Sequence, residues 1–271
     1  MTPTRRLFGC LLALCLAGCA CLPLPDAATV REIAPTGKLR VAFILGNPVQ
    51  VMPDAAGELR GPAIDIGREL ARRLGVPFKP AGLPRAEDIV ASAASGRWDI
   101  AFLAFDPART GELDFTPPYL LAHNSYLLPA GSPVRTFEDA DRPGMRIGVG
   151  QRDAIDNHLS RTLKNAELVR NTRGNAGAVE LLRSGQVDLY AANAQRLAEL
   201  AAQLPGSSVI EGSLLGVGQA IAIPRKAIPG GRRAGLDFLR AALEELKTDG
   251  FIQRAIDRSR LKGATVAPGT K

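Results

Sequence analysis

Few side chains in this sequence could make or break bonds. Histidine occurs twice, at His123 and His158, which is too few for a His-rich metal site. The cysteines Cys10, Cys15, Cys19 and Cys21 all lie in the first 21 residues. Beyond them the chain has no disulfide, no thiolate metal site and no cysteine nucleophile. No Ser/His/Asp pattern, Walker loop or G-x-G-x-x-G run supports a hydrolase, an ATPase or a dehydrogenase. What remains, beyond ordinary packing residues, is arginine, aspartate and asparagine. These groups recognise charge. A guanidinium presents a fixed fork of donors to two coplanar oxygens, which lysine cannot do. A carboxylate receives an amine, and asparagine offers a carbonyl and an amide without charge. No metal or cofactor is expected.

Elements of regular spacing must hold these residues. KLRVAFIL (38–45) reads as a buried strand ending at Gly46 and Asn47. Ala63, Ile66, Gly67, Leu70, Ala71 and Leu74 fall on one helical face, and Gly75-Val76-Pro77 ends that helix. A helix over 85–95 is closed by Gly96, and WDIAFLAF (98–105) is a second apolar strand. Strand, helix, strand at this spacing implies a parallel sheet with crossover helices. The pattern then restarts: strand 145–149, helix 153–164, strand 166–170, helix 175–184, strand 187–190, helix 193–203. Extended stretches at 123–131 and 216–224 flank this second unit, which suggests one lobe inserted into another. Leu236, Leu239, Leu243 and Leu246 form one stripe that would return the closing helix to the first sheet. The predicted organisation is a signal peptide over 1–18, a Pro- and Ala-rich tether over 19–36 and a first lobe over 37–122. A second lobe over 123–216, completion of the first over 217–263 and a disordered tail over 264–271 follow.

The first segment reads as an export address. Arg5 and Arg6 precede the apolar run 7–18, which is too short to cross a hydrocarbon core of about 30 Å as a helix. Leu16-Ala17-Gly18-Cys19 resembles a lipobox, whose cysteine carries lipid after cleavage; the alternative is a plain signal peptide with Cys19 unmodified. TRRLFG also resembles a twin-arginine signal. The expected product is a protein tethered outside the cytoplasm by acyl chains. Net charge is +7, and the excess sits in residues 217–271, with 11 Lys/Arg against 5 Asp/Glu. Such a helix could face an anionic membrane, or be an ordinary solvated face. Aromatic residues make up 5%, so stacking platforms for nucleic acid are few, and export argues against that partner.

Five segments in order resemble the type II periplasmic solute-binding proteins, and within them the extracellular solute-binding protein family 3 of polar amino acid importers. They are GELRGPAIDIGRELARRLG (57–75, with Asp65 at its acidic position), GRWDIAFLAFDPARTGELDFTPPYL (96–120), MRIGVGQRD (145–153), LLRSGQVDLYAAN (181–193) and FLRAALEELKTDGFIQRAI (238–256). The resemblance implies an α/β fold of two lobes joined by two hinge crossings. It implies a ligand in the cleft between them, closure by population shift, and docking on an ABC permease of the inner membrane. It implies a monomer without enzymatic activity.

Residue by residue, Arg109 matches the arginine that grips a ligand carboxylate. Asp106 and Ala104 stand where relatives carry hydroxyl residues, and Asp106 is placed to pair with Arg109 in the empty site. Asn193 stands where relatives place an aspartate for the ligand amine; it contacts ligand or caps the following helix. In the loop Gln151-Arg152-Asp153, Asp153 replaces the missing carboxylate or caps a helix, and Arg152 makes a second anion contact. Gly46 and Asn47 line the first lobe. Phe102 is an apolar wall or a core residue, and Trp98 is packing. Exported cyclohexadienyl dehydratases resemble the same receptors; that alternative calls for a cleft glutamate.

Overall fold

The computed structural model describes residues 25–45, 47–54, 56–225 and 233–269. The expected signal peptide, Cys19 and Gly46 lie outside the described residues. The first lobe opens with α1 (Ala27–Ile33), β1 (Leu39–Ile44) and a small hairpin of β2 (Met52–Pro53) and β3 (Leu59–Arg60). It continues through α2 (Pro62–Leu74), β4 (Phe78–Leu83), α3 (Ala86–Ala91), β5 (Ile100–Ala104) and β6 (Leu113–Phe115). The long strand β7 (Leu120–Leu128) leaves it. The second lobe contains β8 (Arg146–Gly150), α4 (Ala154–Thr162), β9 (Glu167–Asn171), α5 (Gly174–Arg183), β10 (Leu189–Asn193), α6 (Ala194–Ala201) and β11 (Ser208–Val209). The strand β12 (Leu215–Pro224) returns, followed by α7 (Ala234–Thr248), α8 (Phe251–Arg258) and β13 (Ala264–Val266).

The main sheet runs β4-β1-β5-β12-β7-β10-β8-β9. β4, β1 and β5 are parallel, as are β10, β8 and β9; the contacts of β12 with β5, of β12 with β7, and of β7 with β10 are antiparallel. Two parallel units are thus joined through two long antiparallel strands. Burial divides along the same line. Leu120 and Ala122 of β7 lie in the first lobe's core, whereas Tyr126 and Leu128 lie in the second's. On β12, Ile221 and Ile223 belong to the first core and Leu215 packs on the second. Each strand is anchored at both ends, which is the construction of a hinge.

Within the first lobe, β5 is buried on both faces. Ile100 and Phe102 join one cluster, and Ala101 and Leu103 join the other. Leu236, Leu239, Leu243 and Leu246 of α7 are buried in the first of these.

Three differences from the sequence reading have local causes. The expected tether contains α1: Asp26 Oδ1 accepts from Thr29 N at 2.7 Å, and Ile33 is buried in the first lobe's core. Glu32 accepts from the backbone N–H of Gly235 at 3.0 Å, fastening α1 to α7. The helix expected over 85–95 stops at Ala91 and resumes as a 3-10 turn over Ala93–Ser95. Ser92 causes the break: its hydroxyl donates back to the Asp88 carbonyl at 2.7 Å and accepts from Trp98 Nε1 at 3.0 Å. The expected disordered tail contains β13, which pairs with β7 beside the hinge, and Ala267 is buried.

The approach to β13 also touches the second lobe. Lys262 N donates to Gln195 Oε1 at 3.0 Å, and His123 N donates to the Gly263 carbonyl at 2.8 Å. His123 itself bridges Ser213 and Thr265, with each ring nitrogen 2.9 Å from a hydroxyl.

Candidate functional site

The carboxyl ends of β1 and β5 and those of β8 and β10 carry the predicted loop residues. Ligands gather in such crevices of open α/β sheets because helix starts and free backbone groups meet there. On the first lobe, β5 runs out into Ala104, Phe105 and a 3-10 turn over Pro107–Arg109. Asp106 Oδ1 caps that turn, accepting from Ala108 N at 3.0 Å. The expected Asp106–Arg109 pair does not form, because the aspartate is used by its own turn. Arg109 Nη1 donates to the Ala104 carbonyl at 2.9 Å. Among the described residues, no carboxylate partners Arg109. One bond donated to a neighbouring carbonyl fixes the guanidinium, and no other described residue bonds its fork.

Asn47 Oδ1 accepts from Val49 N at 3.1 Å, so this residue shapes the turn after β1. Gln50, which sequence reasoning missed, is fully buried. Its Oε1 accepts from Ile44 N at 3.1 Å, and its Nε2 donates to Gln219 Oε1 of β12 at 3.2 Å. This pair ties the loop after β1 to a hinge strand. Phe102 is not an apolar wall of the cleft. Its ring is fully buried and meets Tyr119 edge to face at 5.4 Å. The aromatic exposed at this strand end is Phe105, 48% open and steadied edge to face by Phe115 at 5.4 Å. Its position just past the strand was the available signal.

On the second lobe, the loop after β8 is held from beneath by the buried Asp156, which accepts from Arg152 N at 2.9 Å and from Arg170 Nε at 3.1 Å. Arg152 takes φ 62°, and it is exposed. Asp153 occupies the N-cap position of α4 but makes no capping bond. Instead its Oδ2 accepts from Arg196 Nη1 at 2.9 Å. A Cβ on Gly150 would lie 2.2 Å from that oxygen, so the glycine at the end of β8 makes room for the pair. Asp153 stays 43% open, but the surrounding protein raises its pKa above the usual carboxylate value. Arg196 opposes that rise, while Asp156 and Glu87 of α3 on the first lobe add to it.

Asn193 is a helix cap: its Oδ1 accepts from Arg196 N at 2.9 Å. One acceptor site of its carbonyl is thereby given to α6. Arg196 was missed because its partner lies 43 positions away.

A recess of about 320 Å³, lined in part by Arg40, Trp98, Asp99, Arg225 and Arg233, lies at the amino ends of the first lobe's strands, away from these loops. Its arginines are each matched with carboxylates: Arg40 with Asp99, Arg225 with Asp114, and Arg233 with Asp114 and Glu32. Among the described residues, no cluster of three His, Cys, Asp or Glu could hold a metal. Nor is any helix there long and apolar enough to cross a membrane.

The family model of the bacterial extracellular solute-binding proteins, family 3, matches residues 39–259. A probable amino-acid ABC transporter periplasmic-binding protein of Sinorhizobium fredii is 25% identical over 186 residues. The match covers 66% of this chain and 61% of that relative's length. The solute receptor for L-cysteine of Neisseria gonorrhoeae shares the fold, with a TM-score of 0.69 at 20% identity over 88% of this chain and 99% of that one. So does a putative ABC transporter binding component from Wolinella succinogenes complexed with lysine, with a TM-score of 0.68 at 23% identity over 82% of this chain and 95% of that one.

Proposed function

The chain belongs to the bacterial extracellular solute-binding proteins of family 3, and we propose that it captures an α-amino acid or a closely related organic acid between its two lobes for delivery to an ABC permease. The observation that carries this reading is Arg109, fixed by the Ala104 carbonyl and free of any carboxylate partner among the described residues. It is the fork for the ligand carboxylate. Asp153, on the opposite lobe, receives the amine in place of Asn193, whose carbonyl already caps α6. A ligand held by both lobes favours the closed arrangement, because only there are all its charges met. The protein binds and releases its solute unchanged.

The chain acts in the periplasm as a monomer, held to a membrane by lipid on Cys19. A Cys19→Ala variant recovered wholly in the soluble fraction, where the parent chain partitions with membranes, is the expected outcome; identical partitioning rejects the anchor.

The binding site is tested by thermal shift with amino acids, dicarboxylates, amines and sugars. An amino acid or organic acid is expected to stabilise the parent protein. Arg109→Ala should abolish that stabilisation while leaving the unliganded melting temperature close to the parent's. Removing one partner of a desolvated charge pair costs about 2 kcal/mol or more, which is roughly 30-fold in affinity. Full binding by Arg109→Ala would reject the clamp.

A further inference from the structure

We infer that Arg196 sets the charge class of the solute, admitting α-amino acids with neutral or acidic side chains and disfavouring those with a second cation. This inference rests on the reading of the cleft as an amino acid site.

Arg196 stands in the first turn of α6, directly after the carboxyl end of β10. Asp153 follows the carboxyl end of the neighbouring parallel strand β8. A cation in the first turn of a helix faces the positive end of the helix dipole. Its place there is made tolerable by the Asp153 carboxylate, 2.9 Å from Nη1. The pair is built in rather than incidental: Asn193 fixes the backbone of Arg196, Gly150 leaves space for the contact, and Asp156 fixes the loop that carries Asp153.

The consequence for a guest follows from counting charge. Asp153 accepts from Arg196 through Oδ2, and no described residue bonds its Oδ1. A ligand amine can therefore take Oδ1 while Arg196 keeps Oδ2. One carboxylate then serves two cations. Arg109 and Arg152 add positive charge, and among the described residues neither guanidinium has a carboxylate partner. On the first lobe, Glu87 adds negative charge felt at Asp153, and Asp106, in the turn that carries Arg109, is bonded to its own backbone. Once the ligand's own carboxylate is on Arg109, a further cation on its side chain meets an arginine-rich wall. A neutral side chain does not, and an acidic one finds cations to spare.

The test is calorimetric titration of the parent protein, Arg196→Gln, Arg196→Lys and Asp153→Asn with the twenty common L-amino acids. The parent is expected to bind at least one neutral or acidic amino acid at least tenfold more tightly than L-arginine or L-lysine. Arg196→Gln should reduce that preference at least tenfold. Arg196→Lys, which keeps the charge, should hold it within about threefold. Asp153→Asn removes the carboxylate that receives the amine and leaves Arg196 unopposed, so it should weaken binding of every amino acid, L-arginine and L-lysine more than L-glutamate and L-aspartate. A uniform loss overturns the inference, so the direction is read even where Arg196→Gln does not fold. A parent that binds L-arginine as tightly as its best neutral ligand overturns the inference and leaves the solute site standing. So does an unmoved preference in Arg196→Gln. A parent that binds no amino acid overturns the inference, and one that binds no organic acid either overturns both.

Discussion

Each lobe contains the same latch. In the first, Asp99 precedes β5 and accepts three bonds from Arg40 at the start of β1: from N at 2.8 Å, Nε at 3.0 Å and Nη2 at 2.5 Å. In the second, Asp188 precedes β10 and accepts from Arg146 N at 2.8 Å, Nε at 3.2 Å and Nη2 at 2.8 Å. The geometry repeats, but the burial does not. The Asp99 side chain is 2% exposed and its arginine 21%; Asp188 is 36% exposed and its arginine 39%. Burial should decide what each latch is worth. Asp99→Ala leaves the Arg40 backbone N–H without its acceptor and the guanidinium with the Gly96 carbonyl alone among the described residues. Breaking a buried pair on one side costs about 3–5 kcal/mol. Asp188→Ala leaves groups that water reaches, so the ion pair is worth about 0.2–1 kcal/mol and the whole change about 1–2 kcal/mol once the backbone bond is included. Asp99→Asn keeps an acceptor for Arg40 N and should recover about 1 kcal/mol of the loss. Urea unfolding of the three variants measures these values. In melting, each kcal/mol is worth about 2–4 °C for a chain of this size. Both latches sit at amino ends of strands, so ligand affinity should change less than about threefold. Equal losses in Asp99→Ala and Asp188→Ala would refute the argument from burial.

Other perturbations test other parts of the molecule. Gly263 has φ 57°, and a Cβ there would fall 2.4 Å from Ala194 Cβ in the second lobe. Gly263→Ala should therefore cost about 1 kcal/mol for the left-handed backbone and about 1–3 kcal/mol more for the clash, read by urea unfolding; an unchanged midpoint would show that β13 does not bear on the second lobe. Gln50→Leu strands Gln219 Oε1 and Ile44 N, with an expected loss of about 1–3 kcal/mol for each stranded group; Gln50→Glu, which keeps the acceptor for Ile44 N, separates the two bonds in the same assay. Glu69 is held down to about 2, chiefly by its bond to Arg72 and then by Arg73, from an ordinary value of 4.5. Its contribution is complete above pH 4.5 and disappears as pH falls toward 2. Glu69→Gln should therefore flatten the acid limb of the stability profile between those values, and an unaltered limb would assign the acid loss to other carboxylates.

The strands were legible because apolar runs such as 38–45 and 98–105 end in residues that stop a strand, and their carboxyl ends located the candidate loops. Which side chain on each loop meets a ligand was not legible. Phe102 fits an apolar wall by type, but β5 is buried on both faces, so alternation gave it no polar side to be measured against. The helix α1 was hidden by its composition: the Pro- and Ala-rich stretch looks like a spacer until Asp26 is seen to cap it and Ile33 to enter a core.

Asn193 and Asp153 show the limit most clearly. Either side chain could cap a helix and either could meet a ligand, since both uses ask for an oxygen at a strand-to-helix corner. The choice is made by Arg196, whose backbone N–H takes the oxygen of Asn193 and whose guanidinium takes that of Asp153. One residue thereby takes the neutral side chain as the cap and draws the charged one into an ion pair. Sequence spacing reaches the first of those contacts, three positions back; the second crosses from one strand end to its neighbour, and only the parallel pairing of β8 with β10 brings its partners together.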